Sequence, residues 1–288
     1  MASTSDRGNT VSIGYLLRHS IDLVLDRWPL LVLSTLVLAV AYWLNLRLLA
    51  YCFIVQSVGA CLPSEWAEAF LDWSPWGFRA AADGIAVVAV MSVALYFLYR
   101  GRREDQSRWI RLSGRIVFYE VILVSVRTLT NIGFSRINAG AWAHRSLGLT
   151  QVEIAAEFGV LSFLSSGLAF YAPSVAYTCE NMSLAESWRQ TRHMRRILVA
   201  ACFAVYCLGY ACRLLIWTFI VRPRMSFLNE VASTQLDLTP PILSHALLRS
   251  VSFLIVEPLV TLVISAIGIV AFRRIWIASD QHTTAIFG

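Results

Sequence analysis

Lysine is absent from this chain: all 24 of its basic residues are arginine, a bias that fits a GC-rich genome and carries no functional reading. Charge of either sign is scarce, at 15% of residues, where an ordinary soluble domain carries about 25%. Long polar stretches are missing as well. The widest gaps between apolar runs, near 58–78 and 221–245, are too short to bury a core of their own, so no separate soluble domain is expected. The six cysteines include no C-x-x-C pair. Cys202, Cys207 and Cys212 recur every five residues and so fan around a helix, as small packing residues do. Cys52 and Cys61 could pair on an oxidising side, a question of geometry that spacing leaves open.

Catalytic motifs are missing too. The chain holds no H-E-x-x-H, no G-x-S-x-G, no Walker loop and no G-x-G-x-x-G. His19, His144, His193, His245 and His282 are scattered without metal-ligand spacing. These absences predict a protein that is not an enzyme and has no cofactor and no metal. No basic segment leads into a short apolar run with a small-residue cleavage site, so no cleaved signal peptide is expected.

What is present is apolar. Hydrophobic residues make up 57%, ten are Trp, and the mean hydropathy is +0.62. Six long apolar stretches each approach the roughly 20 residues that one bilayer crossing needs. The expected fold is an all-α polytopic membrane protein with crossings at about 29–49, 85–99, 113–134, 155–178, 197–221 and 248–271. They form one membrane-embedded domain over 11–276, between a polar tail at 1–10 and a short one at 277–288. The segment 61–79 is acidic and rich in Trp, which predicts an outer loop lying on the interface. Pro173 should kink the fourth crossing, and Ala155, Gly159, Ser162, Ser166, Gly167 and Ala169 should let neighbouring helices approach it closely.

Two further helices are too charged to span. Over 11–27, Ile13, Leu16, Leu17, Ile21, Val24 and Trp28 follow helical spacing, with Arg18, His19, Asp22 and Asp26 opposite. A capping box at Ser183-Leu184-Ala185-Glu186 opens a second such helix, through about Arg196. Both suit the headgroup plane, where Arg18, Arg27, Arg189, Arg192 and Arg196 would meet anionic lipid. The net charge of +6 is read as membrane-facing, with no nucleic-acid partner.

Arginine also sets the topology. With both termini cytoplasmic, fifteen arginines fall inside, among them Arg100, Arg102, Arg103, Arg108, Arg111 and Arg115, against five outside. That asymmetry is a strong positive-inside signal. Charges within the crossings are the residues with most to explain, because burial in lipid costs several kcal/mol unless they pair. They are Glu257 beside Pro258, Glu120 and Arg127 seven apart on one helix, and Arg213. Two readings stand: a central polar pathway using Glu257, or a buried set pairing Glu120 or Glu257 with Arg127 or Arg213, which the frequency of structural ion pairs favours. Glu153 and Glu157 read as interfacial.

The segment from Phe170 to Arg192, with its proline-ended helix, acidic-polar turn and Ser187-Trp188-Arg189, resembles bacterial multi-helix membrane proteins related to the membrane domain of glycerophosphoryl diester phosphodiesterase. Leu16-Leu17-Arg18-His19-Ser20 looks like that family's opening element. The resemblance implies a membrane fold. It does not imply catalysis, which in that family belongs to a separate soluble domain. A shift of 167 aligns Leu17 with Leu184, Ser20 with Ser187, Leu30 with Ile197 and Leu31 with Leu198, the pattern of an internal repeat. The functions expected are scaffold, accessory subunit or lipid-engaging protein of a bacterial cytoplasmic membrane. Membrane lipids, a membrane-protein partner or a second copy would be its partners. The alternative is a small transporter or channel.

Overall fold

The computed structural model describes residues 11–57, 75–99, 106–139, 147–178, 182–223 and 253–275, and every element among them is helical. Both tails, Cys61 and most of the Trp-rich segment, Arg100, Arg102, Arg103 and Arg249 lie outside the described residues.

Helix α1 (Ile13–Leu25) starts where Ser12 Oγ accepts the Tyr15 amide at 3.2 Å, a cap that satisfies an otherwise orphaned donor. The chain turns through 72° at Asp26 and Arg27. It then runs into α2 (Trp28–Ser57), whose 30 residues extend about 45 Å. Pro29 sits in its first turn, where the missing N–H is not needed. Helix α3 (Pro75–Tyr99) begins ten residues earlier than expected, with a proline at its first position, so the last turn of the presumed outer loop is helix. Helix α4 (Gln106–Ala139) carries the expected third crossing with more than a turn added at each end.

Helix α5 (Leu147–Leu168) is separated from α6 (Tyr171–Thr178) by a break at Ala169 and Phe170. Proline accounts for the position. Pro173 has no N–H to return to the carbonyl four residues back, which is that of Ala169, so the helix opens there. Gly268 makes the break fit: a Cβ at that position would lie 2.7 Å from the Ala169 carbonyl oxygen. Helix α7 (Leu184–Gln190) is capped as expected, Ser183 Oγ accepting the Glu186 amide at 3.2 Å. It does not reach Arg196. A 3-10 turn at Thr191–His193 ends it, and α8 (Arg195–Ile216) follows, closing on a π turn at Trp217–Val221. Helix α9 covers Phe253–Ile275.

Three of these helices are long and apolar enough to cross a membrane: Gln151–Tyr177, Arg195–Val221 and Phe253–Ile275. The bent α1–α2 pair passes the same measure as a unit, and the apolar part of α3, Gly84–Tyr99, is shorter. Among the described residues, α4 falls outside that set, with Arg111, Arg115, Glu120 and Arg127 along it.

The described helices group into two compact units, each drawn from separated stretches of chain. The first takes α1, the end of α3, all of α4 to α7, α8 to Leu208 and α9 from Val260. In it α4 packs on α5 and α6, and α5 packs on α7. Its centre is α9, where Leu262, Ile267, Ile269 and Phe272 are fully buried and Phe272 meets Phe170 edge-on at 5.5 Å. The second unit holds α2 from Leu31, most of α3, the end of α8 and the start of α9, around Leu38, Met91, Val221 and Val256. Cys202 is buried, Cys207 exposed and Cys212 between the two, the fan that five-residue spacing predicts.

Candidate functional site

Two elbows dominate the first unit, each a short amphipathic helix that bends into a long one. At an offset of 167 residues, Trp28 and Arg195 are both the first residue of a long helix, and Ser20 and Ser187 are both fully buried.

The second elbow is fastened to α5 by Ser187 and Trp188, both at Gly167. Ser187 Oγ donates to the Gly167 carbonyl at 2.9 Å. The Trp188 ring lies over Gly167 so closely that a Cβ there would come within 1.9 Å of it. Phe163 meets the same ring edge-on at 5.1 Å, and the Arg195 guanidinium stacks on it at 4.5 Å while donating to the Trp188 carbonyl. Cation–aromatic stacking of this kind contributes about 0.5–2 kcal/mol. The first elbow is tied differently. Arg27 donates to the Phe97 carbonyl in the last turn of α3, so it satisfies one of that helix's orphan carbonyls. Arg274 lies over the Tyr15 ring at 5.5 Å.

The arginines thus divide into two sets. Arg27, Arg115, Arg195 and Arg273 are spent on the protein itself: Arg115 donates to the Tyr171 carbonyl at 2.7 Å and Ser174 Oγ at 3.0 Å, and Arg273 to the Tyr177 hydroxyl at 2.8 Å. Arg18, Arg189, Arg192 and Arg196 are exposed. The Glu186 contact of Arg189, at 3.9 Å on a side chain 79% exposed, contributes at most about 1 kcal/mol. Of the five arginines expected at headgroups, four therefore project outward and Arg27 is half-buried as a helix cap. Arg195 is indistinguishable by composition from its neighbours; the 3-10 turn at Thr191–His193, which the sequence does not announce, brings it back over Trp188.

Charges within the helices distribute as follows. Glu120 is buried, 2% exposed, within electrostatic reach of the Tyr99 and Tyr119 hydroxyls. Arg127 Nε lies 3.3 Å from Glu157 Oε1 on α5. Glu157, expected at the interface, has a side chain 14% exposed and lies midway along α5, so a carboxylate of one helix answers a guanidinium of another. Sequence spacing missed the pair because it links two helices. In the second unit Glu257 is buried beside Pro258, and Arg213 sits over the Phe253 ring at 5.5 Å. Phe253 is one turn before Glu257 on the same face of α9. Among the small residues of α5, close approach falls to Gly167, whereas a Cβ at Gly159 would meet nothing within 4 Å.

No protein-family model, curated protein or solved structure matches this chain.

Proposed function

We propose that the protein is a non-enzymatic, six-crossing component of a bacterial cytoplasmic membrane, with both termini cytoplasmic. In this reading its two elbows engage anionic lipid headgroups while the bundle serves as a scaffold or accessory subunit. One observation carries the proposal: the division of the arginines. Those on the elbow surfaces, Arg18, Arg189, Arg192 and Arg196, are exposed and held by no carbonyl or ring among the described residues, while Arg27 and Arg195 are. Each cation near an anionic leaflet contributes about 1 kcal/mol. Helix α1 adds a second feature. Beside its buried Leu16, Ser20 and Val24, it exposes Ile21 and Leu25, one turn apart on one face. An exposed apolar stripe next to an exposed cation is the arrangement of a helix seated at the acyl–headgroup boundary.

The test is lipid retention by the whole protein in nanodiscs of equal phosphatidylglycerol and phosphatidylcholine, read by native mass spectrometry. Wild type should keep phosphatidylglycerol preferentially, and the charge-reversed quadruple variant of Arg18, Arg189, Arg192 and Arg196 to Glu should lose that preference. Equal retention by both at low salt would sink the proposal. A stoichiometric protein bound alongside would identify the accessory role.

A second reading, a small transporter, is favoured by the burial of Glu120 and Glu257 within helices, where carboxylates mark ion pathways. Glu257→Gln separates the two. A lost transport or growth phenotype with normal expression supports the pathway; lost expression supports a structural carboxylate.

A further inference from the structure

Where α5 breaks, the first unit encloses a cavity of about 10 Å³ lined by Tyr99, Tyr119, Ser165, Ala169, Ser265 and Gly268, together with three aliphatic residues. Its size is that of one water molecule. Its lining is unusual for the interior of an apolar bundle, since four hydroxyls from four different helices converge on it. The Tyr99 hydroxyl faces Ser265 and the Tyr119 hydroxyl faces Ser165. Neither serine closes a well-formed direct hydrogen bond, although the two are only 3% and 2% exposed. Ala169, whose carbonyl is denied an amide by Pro173, lines the same wall.

We propose that this chamber is a built site for a single ordered water, shared by Tyr99, Tyr119, Ser165 and Ser265. Three arguments carry it. Empty cavities in proteins are apolar, and this one is not. Buried hydroxyls with no partner are costly, and a water of two to four partners is the usual remedy. Each tyrosine interacts with its serine without closing the geometry of a direct bond, and all four line one space of the right size. The water would join α3, α4, α5 and α9 at the helix break, next to the buried Glu120 carboxyl that both tyrosines sense electrostatically. It would also explain how an interrupted helix is tolerated beside the most buried helix of the unit, because a freed carbonyl can be satisfied by ordered water.

The experiment pairs density with a double-mutant cycle on the full chain in nanodiscs. A map finer than about 2.5 Å should show a peak about 3 Å from at least two of the four hydroxyls. Ser165→Ala and Ser265→Ala should each lower the melting temperature, and the double variant should lower it by little more than either, because one shared water is lost only once. Three results would overturn the site. One is an ordered chamber without a peak, with each tyrosine bonded directly to its serine. Another is strictly additive losses. The third is a melting temperature that rises in sodium over N-methylglucamine at equal ionic strength, which would make the occupant a cation.

Discussion

At the scale of single residues, glycine separates what packing demands from what composition suggests. Gly159 and Gly167 lie eight apart on one helix and look alike in the sequence. Yet a methyl at Gly167 would strike the Trp188 ring, and a methyl at Gly159 would meet open space. That ring has little freedom to yield, with Ser187, Phe163 and Arg195 around it. Gly167→Ala should therefore cost about 1–3 kcal/mol by overpacking. Gly159→Ala should be neutral or gain up to about 1 kcal/mol through helix propensity. Thermal unfolding in detergent checks both, and equal effects at the two positions would contradict the docking geometry. Gly268→Ala should resemble Gly167→Ala, because the atom in its way is the Ala169 carbonyl, backbone rather than side chain. At this scale the sequence was only half readable. Ser183 as a helix cap and the fan of Cys202, Cys207 and Cys212 follow from local rules. The roles of Gly167, Arg115 and Arg195 depend on which helix lies across from them, which local spacing does not encode.

At the scale of elements, the elbows and the α4–α5 pair decide the arrangement. The amphipathic helices were legible because 3.6-residue periodicity and capping are local properties. The end of the second was not, since the 3-10 turn at Thr191–His193 comes from docking Ser187 and Trp188 on α5 rather than from any breaker in the segment. Helix α4 shows a different limit. Its helical character was plain, but two of its charges find partners on other helices: Arg115 at the α6 backbone and Arg127 at Glu157. The Arg127–Glu157 pair, 24% and 14% exposed, lies between the surface and the buried case. Breaking it by Arg127→Glu should cost about 1–3 kcal/mol. The exchange Arg127→Glu with Glu157→Arg should recover most of that loss. Failure of the exchange to recover any stability, measured as melting temperature or expression, would show that the pair does not couple α4 to α5.

At the scale of the whole molecule, length, low charge and long apolar runs announce a helical membrane protein, and three helices are indeed long and apolar enough to cross. Six crossings rest on the arginine asymmetry together with the less apolar helices. Among the described residues, α4 carries Arg111, Arg115, Glu120 and Arg127, and Ile13–Leu25 with Trp28–Leu44 is apolar enough to cross as a bent pair. In the proposed function, both elbows, 167 residues apart in sequence, lie on the same arginine-rich leaflet. Sidedness tests it most directly. In a chain whose six native cysteines are replaced by serine or alanine, single cysteines at Arg18 and Arg192 would be offered a membrane-impermeant maleimide. The reagent would be applied first to intact spheroplasts and then to inverted membrane vesicles. Labelling of both positions in inverted vesicles and of neither in spheroplasts is the predicted result; labelling of either position from the outer face would contradict it.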